Sequence, residues 1–309
     1  MKRRNLRLIL SAIGLMVLIL DSSNAVSAAS AALEVCVRTV IPSLFPFFVL
    51  SIYLTSSAGC GVSSILISGF LGGYPVGAQS AAEAYRNGYI SKEYANRLLM
   101  FCSQAGPSFL FGIAAAQFPE REYGWMLWAV QILSAIGVAQ MLPAGKKREG
   151  SFPRAGSITL SQSMSKAIRS MVSVCGWVIL FRVILTFLHR WLLWWLPDAA
   201  GILVSGLLEL TNGCLQLGKI PDISLRFLCA VLMLNFGGIC VMMQTASVAE
   251  GLDLRYYIGG KILQTLFSFM WAALFLGYFV AVIPIFLIFL LPHMQNLRKN
   301  SSIPDPVGV

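Results

Sequence analysis

Polar, glycine-rich interruptions divide the apolar stretches of this chain, and each kind of interruption occurs twice. One pair is Leu71-Gly-Gly-Tyr-Pro-Val-Gly-Ala78 and Phe101-Cys-Ser-Gln-Ala-Gly-Pro107; the other is Leu208-Glu-Leu-Thr-Asn-Gly-Cys214 and Leu234-Asn-Phe-Gly-Gly-Ile-Cys240. Gly77 and Gly213 are 136 residues apart, and Gly106 and Gly238 are 132 apart. Ordinary loops would carry more charge than these four segments do. Repeated interruptions of short hydrophobic segments are the best sequence pointer to the binding site of a secondary transporter.

Composition decides the class. The chain is 57% apolar and 12% charged, with a mean hydropathy of +0.75, whereas ordinary soluble domains are roughly 25% charged. Uncharged apolar runs near twenty residues read as membrane spans, so an all-α polytopic membrane protein is expected. The net charge of +10 needs no nucleic acid partner. Much of it sits in Lys2-Arg3-Arg4, in Lys146-Lys147-Arg148 with Arg154, and in Arg298-Lys299, where it marks the cytoplasmic side and can meet anionic membrane lipid. The seven cysteines form no CxxC pair, and the two histidines are not grouped with them, so neither a metal site nor a disulfide scaffold is indicated.

Residues 1–21 read either as a signal-like segment or as a retained first span, and a retained span suits a multi-span protein. A first repeat over 29–143 then holds a span near 35–54 and a hairpin near 61–88. A span near 95–117 follows, broken at Ser103–Pro107, and another covers 124–142. A basic cytoplasmic connection covers 144–164. A second repeat over 165–280 runs in the same order: span, hairpin near 198–218, a span broken at Asn235–Gly238, span. Corresponding elements separated by an odd number of crossings are inverted, so the expected fold is an inverted repeat with two re-entrant hairpins and two broken helices. Residues 281–309 form an apolar segment and a polar tail.

Irregular backbone inside hydrocarbon is tolerated only where protein or a wet cavity covers it. Freed amides at half-helix ends can hold an anion, and freed carbonyls a cation. The candidate solute-binding residues are therefore Gly73, Tyr74, Gly77, Ser103, Gln104 and Gly106 in the first half. In the second they are Glu209, Thr211, Asn212, Asn235, Gly237 and Gly238, with Gln244 a weaker candidate. The bland reading is close helix packing through small residues. Glu209 is the key acid, since a carboxylate in a membrane segment is a functional hypothesis by default; the alternative is an interfacial ion pair. Tyr74 either stacks on a planar ligand or anchors the hairpin tip. Arg38 and Arg169, early in their spans, either face an anionic solute or snorkel to the headgroups. Arg182, deeper in apolar sequence, is the better candidate for an internal ion pair or an anion contact, with snorkelling toward Trp191 as its competing reading. No nucleophile–base pair, metal-ligand cluster or phosphate loop supports catalysis or ATP-driven transport, and no cofactor is implied. Coupling to Na+, coupling to H+ and uncoupled exit down a gradient are all compatible with these residues.

These residues carry a resemblance. Gly72-Gly-Tyr-Pro-Val-Gly-Ala78, Ala82-Glu-Ala-Tyr85, Ile90-Ser-Lys-Glu93, Phe101-Cys-Ser-Gln-Ala-Gly-Pro107, Leu208-Glu-Leu-Thr-Asn-Gly213 and Phe236-Gly-Gly238 resemble the sporulation integral membrane protein family. That family includes a stage V sporulation protein implicated in moving dipicolinate across the outer forespore membrane, and is related to the nucleoside-recognition, or gate, domains of concentrative nucleoside transporters. The resemblance implies movement of a small polar solute, dipicolinate or a nucleoside, by paired hairpins and broken helices. It points to Gly73, Tyr74, Gly77, Ser103, Gln104, Glu209, Thr211 and Asn212, and makes a homo-oligomer plausible. A structural or signalling membrane protein is the third reading.

Overall fold

The computed structural model describes residues 2–57, 61–142 and 159–278, and among them every regular element is helical. Most of the expected basic connection and the whole 281–309 segment lie outside the described residues. Helix α1 (Lys2–Leu20) ends at Asp21, which accepts a 2.6 Å bond from Asn24. Helix α2 (Ser22–Val35) continues through a π turn at Cys36–Val40 into α3 (Ile41–Ser57). The π turn lies just before Pro42 and Pro46, two residues that cannot donate to a helical ladder.

The span expected to begin near residue 35 therefore starts much earlier, at Ser22. The alanines read from sequence as a lead-in are a packing stripe: Ala25, Ala28, Ala32, Cys36, Val40, Leu44 and Phe48 recur every three or four residues and are all buried. That period places them on one helix face. They lie against α9 (Leu160–Leu188), which offers Ala167, Met171, Val174, Val178, Phe181 and Leu185 at the same period. Small side chains let the two helices approach closely.

Two short helices follow α3. Helices α4 (Val62–Leu71) and α5 (Val76–Arg86) pack on each other across the turn Gly72–Pro75, whose Tyr74–Pro75 peptide is cis. Helix α6 (Lys92–Leu99) is capped by the Ser91 hydroxyl, which accepts from the Tyr94 amide. It stops before the irregular stretch to Gly106, after which α7 (Pro107–Phe109) runs on through π and 3-10 turns to Gln117. Helix α8 (Glu122–Met141) completes the first half.

In the second half, α9 opens with a capping box between Thr159 and Gln162 and extends by a π turn to Leu193. Helices α10 (Asp198–Leu208) and α11 (Leu210–Gln216) are again a short, tightly packed pair. Helices α12 (Ile223–Phe236) and α13 (Gly238–Val248) are separated by one residue, Gly237. Helix α14 (Leu254–Phe275) packs between α8 and α12.

Polar contacts gather at the two ends of the bundle. At the end where α9 begins, Lys166 pairs with Glu83, Arg86 with Glu250, and the Asp253 amide donates to Asn96. At the end where α9 stops, Arg190 pairs with Asp21, and Arg226 donates to the carbonyls of Gln117, Gly218 and Ile220. The α4–α5 pair is tied into the first end and the α10–α11 pair into the second.

Candidate functional site

The two short helix pairs meet the chain breaks by direct backbone contact. Gly69 and Gly77 face each other across the α4–α5 pair, and a Cβ on either would overlap the Cys102 carbonyl at the first break. Gly206 and Gly213 face each other in the α10–α11 pair, where a Cβ would strike the Met233 sulfur just before the second break. At the first tip Gly73 has a left-handed φ of 77°, and its missing side chain leaves room for the Gly106 amide. Gly237 has φ 84° and gives its space to the Tyr74 ring. An L side chain at either position would be strained as well as crowded.

A small, partly open cavity of about 40 Å³ lies where these parts converge. Gly72, Gly73 and Tyr74 of the first tip line it with Ala105 and Gly106 of the first break. Glu209, Leu210 and Thr211 of the second tip face them, with Gln244 on α13. Val40 at the end of the π turn, Leu44 on α3, and Val174 and Val178 on α9 form the apolar wall. An apolar cleft with a few convergent polar groups is the general form of a small-molecule site.

Glu209 sits in extended backbone between α10 and α11 and is almost fully buried. Its two carboxylate oxygens accept from the amides of Thr211 at 2.9 Å and Asn212 at 2.7 Å. It is thus the N-cap of α11, meeting two of the orphan donors that every helix start leaves. The sequence leaves those amides available to an external anion; in the structure Glu209 already occupies them. The Thr211 side chain adds a further hydrogen bond to the same carboxylate.

Behind Tyr74 lies a buried polar network that joins both halves. Lys261 on α14 donates to the Tyr74 hydroxyl at 3.1 Å, the Ser103 carbonyl at 2.6 Å and Gln264 Oε1 at 3.0 Å. Tyr74 in turn donates to the Leu234 carbonyl at 3.1 Å. Gln264 Nε2 donates to Gln104 Oε1 at 2.5 Å and to Asn235 Oδ1 at 3.1 Å. Backbone carbonyls settle which way each amide points: Gln104 Nε2 donates to Phe101 O and Asn235 Nδ2 to Val231 O. Gln131 on α8 donates to the Ala105 carbonyl at 2.9 Å, meeting another group freed by the first break.

The candidate residues from the sequence therefore divide into groups. Gly73, Tyr74, Gly106, Glu209 and Thr211 line the cavity, as does Gln244. Ser103, Gln104 and Asn235 belong to the Lys261 network, and Gly77, Gly237 and Gly238 lie at close-packing contacts. Asn212 contributes its amide to Glu209. Tyr74 anchors the tip and also faces the cavity. Arg38 is exposed and pairs with Glu34 at 3.1 Å, and Arg169 is exposed on α9. Arg182 is half-buried on α9. None of the three arginines lines the cavity.

Sequence reasoning passed over Lys261 and Gln264. The signal was present: one lysine inside a 22-residue helix of mean hydropathy 1.3, with glutamine three positions on, one turn away on the same face. An ionisable residue in such a helix marks a functional candidate as surely as Glu209 does.

Five helices among the described residues are long and apolar enough to cross a membrane: Ser22–Leu54, Glu122–Met141, Leu160–Leu193, Ile223–Val248 and Leu254–Phe275. With a buried polar centre and an apolar exterior, they define a multi-pass helical membrane protein. The chain is 25% identical over 297 aligned residues to the sporulation integral membrane protein YlbJ of Bacillus subtilis (strain 168), a match that spans 75% of this chain and 72% of that protein. That likeness supports the resemblance read from the motifs. No protein-family model matches the chain, and no solved structure matches it significantly.

Proposed function

We propose that this chain is a secondary transporter or facilitator of a small polar organic solute. The observation that carries this reading is the cavity in which both short-helix tips, the first break and the α13 side of the second meet around Glu209 and Tyr74. In this reading α4–α5 and α10–α11 are re-entrant hairpins that enter from opposite faces, and the two halves form an inverted repeat. The polar contacts that tie the hairpins to opposite ends of the bundle support that plan. Such a site lies near the membrane midplane and is exposed alternately as one repeat rocks against the other.

Dipicolinate is the first solute to test, given the likeness to a sporulation membrane protein, and the outer forespore membrane is the setting that goes with it. A planar dianion would meet the Glu209 carboxylate, so it needs that acid protonated or paired with a cation. A nucleoside is the second reading, favoured by the acceptor and donor groups of Glu209, Thr211 and Gln244 around an apolar wall. We assign the protein as a homo-oligomer as well. The exposed Arg38–Glu34 pair, midway along the Ser22–Leu54 span, is costly against lipid and is a polar face that a second copy would cover.

The test is flux into proteoliposomes with dipicolinate, nucleosides and small carboxylates. Saturable uptake of one class, competed by its unlabelled form, is expected. Uptake no faster than in protein-free vesicles for every class would overturn the reading in favour of a structural or signalling role.

A further inference from the structure

The Lys261 ammonium is held by the kind of neutral oxygens that also bind alkali cations. Its Nζ is fully buried and contacts three neutral oxygens: a phenol, a side-chain amide and a backbone carbonyl freed by the first chain break. The Tyr74 and Tyr257 rings add cation–π contacts at 4.9 and 5.8 Å from their centroids. Among the described residues no carboxylate lies within ion-pair distance of it. A buried lysine held structurally is ordinarily paired with an acid; this one is held by dipoles alone.

The donor count agrees. The Tyr74 hydroxyl proton goes to Leu234 O, the Ser103 carbonyl can only accept, and Gln264 Oε1 is fixed as an acceptor by the amide chain through Gln104 to Phe101 O. All three contacts must therefore be donated by Nζ, which matches the three protons of an ammonium. Freed carbonyls and half-helix ends are the groups with which broken-helix transporters hold their coupling cations.

We propose that Lys261 is a tethered substitute for a coupling cation, locking the first hairpin tip to the first broken helix and to α14, so that solute movement needs no Na+. This deepens the transport reading and rests on it. The positive charge is covalently resident, so the tip is held closed without an ion from solution. Release of the tip then requires breaking the Tyr74 and Ser103 contacts rather than ion dissociation.

The test has two arms. In detergent, the thermal stability of the purified wild-type protein is measured in NaCl, KCl and choline chloride, together with Lys261→Ala. Wild type is expected to melt at the same temperature in all three salts, while Lys261→Ala is selectively stabilised by Na+ or K+ over choline, because the vacated oxygens form an open cation site. Selective stabilisation of wild type by Na+, or a folded Lys261→Ala that is indifferent to alkali cations, overturns the proposal. If Lys261→Ala does not fold, the wild-type measurement decides. In proteoliposomes, replacing Na+ by choline should leave wild-type flux unchanged, and a drop of about tenfold or more, roughly one lost buried polar contact, would overturn it. Absence of any solute flux overturns the transport reading, while the detergent arm still decides whether Lys261 stands in for a cation.

Discussion

Lys261 on α14 and Tyr74 at the tip of the first hairpin, 187 residues apart, are joined by a 3.1 Å hydrogen bond inside the bundle. Through that bond the last described helix holds a chain turn against a cavity, and Tyr74 passes the link on to the Leu234 carbonyl beside the second break. Both halves of the molecule thus meet at one phenol.

Tyr74→Phe removes the hydroxyl and keeps the ring that packs on Gly237. It leaves the Leu234 carbonyl and one Lys261 proton without their partner. Leaving a buried group unpaired costs about 1–3 kcal/mol, so a lower Tm in detergent is expected together with faster proteolysis at the tip. An unchanged Tm would mean that water takes the place of the hydroxyl.

Glu209→Gln retains one oxygen that can cap α11 but loses the charge and one of the two accepted bonds. Membrane insertion and monodispersity should survive, with a stability loss of about 1 kcal/mol, while solute flux is lost. Flux equal to wild type would reduce Glu209 to a helix cap.

Gly77→Ala and Gly213→Ala should each prevent a stable fold, since the new methyl meets the Cys102 carbonyl in one case and the Gly206 backbone in the other. Gly176→Ala is the control. Nothing lies within 4 Å of its added Cβ, and alanine favours a helix by up to about 1 kcal/mol. Yield and elution profile in detergent distinguish the cases; a well-folded Gly213→Ala would refute the close packing of α10 on α11.

Gln264→Leu and Asn235→Leu, separately and combined, test whether the network acts as a unit. Gln264 Nε2 donates to both Gln104 and Asn235, so the two changes should be non-additive by about 0.5–3 kcal/mol in a double-mutant cycle on unfolding. Additive losses would show that the Gln264–Asn235 contact contributes nothing.

Arg38→Ala should leave solute flux and binding within about twofold, because the side chain is exposed and, among the described residues, pairs with its helical neighbour Glu34 alone. The same variant loosens the oligomer if a second copy covers that face, which cross-linking or light scattering reads directly. A tenfold loss of solute affinity would place Arg38 in the solute path.

The helical class and the interrupted helices could be read from residue order, because apolar runs and their Gly-Pro stops are local features. Helix α4 ends at Gly72–Pro75 and α12 at Gly237 for reasons visible in a window of a few residues. The Ser22 start was not legible in the same way. Ala25, Ala28 and Ala32 are weakly hydrophobic alone and become a helix face only because α9 offers a matching stripe. Arg182, deeper in apolar sequence than Arg38, is the better internal candidate by sequence, and in the structure it is half-buried while Arg38 points outward to Glu34.

The amino-acid sequence alone determined that this protein is a bundle of membrane-length helices, and where those helices break, since hydrocarbon leaves unpaired backbone nowhere else to go. Only the tertiary structure decided which groups satisfy the breaks. Glu209 takes the amides of its own helix, and Lys261 takes the carbonyl freed at Ser103. Hydrogen bonds reach about 3 Å, so a lysine and a carbonyl 158 residues apart become partners only once packing has brought their helices into contact.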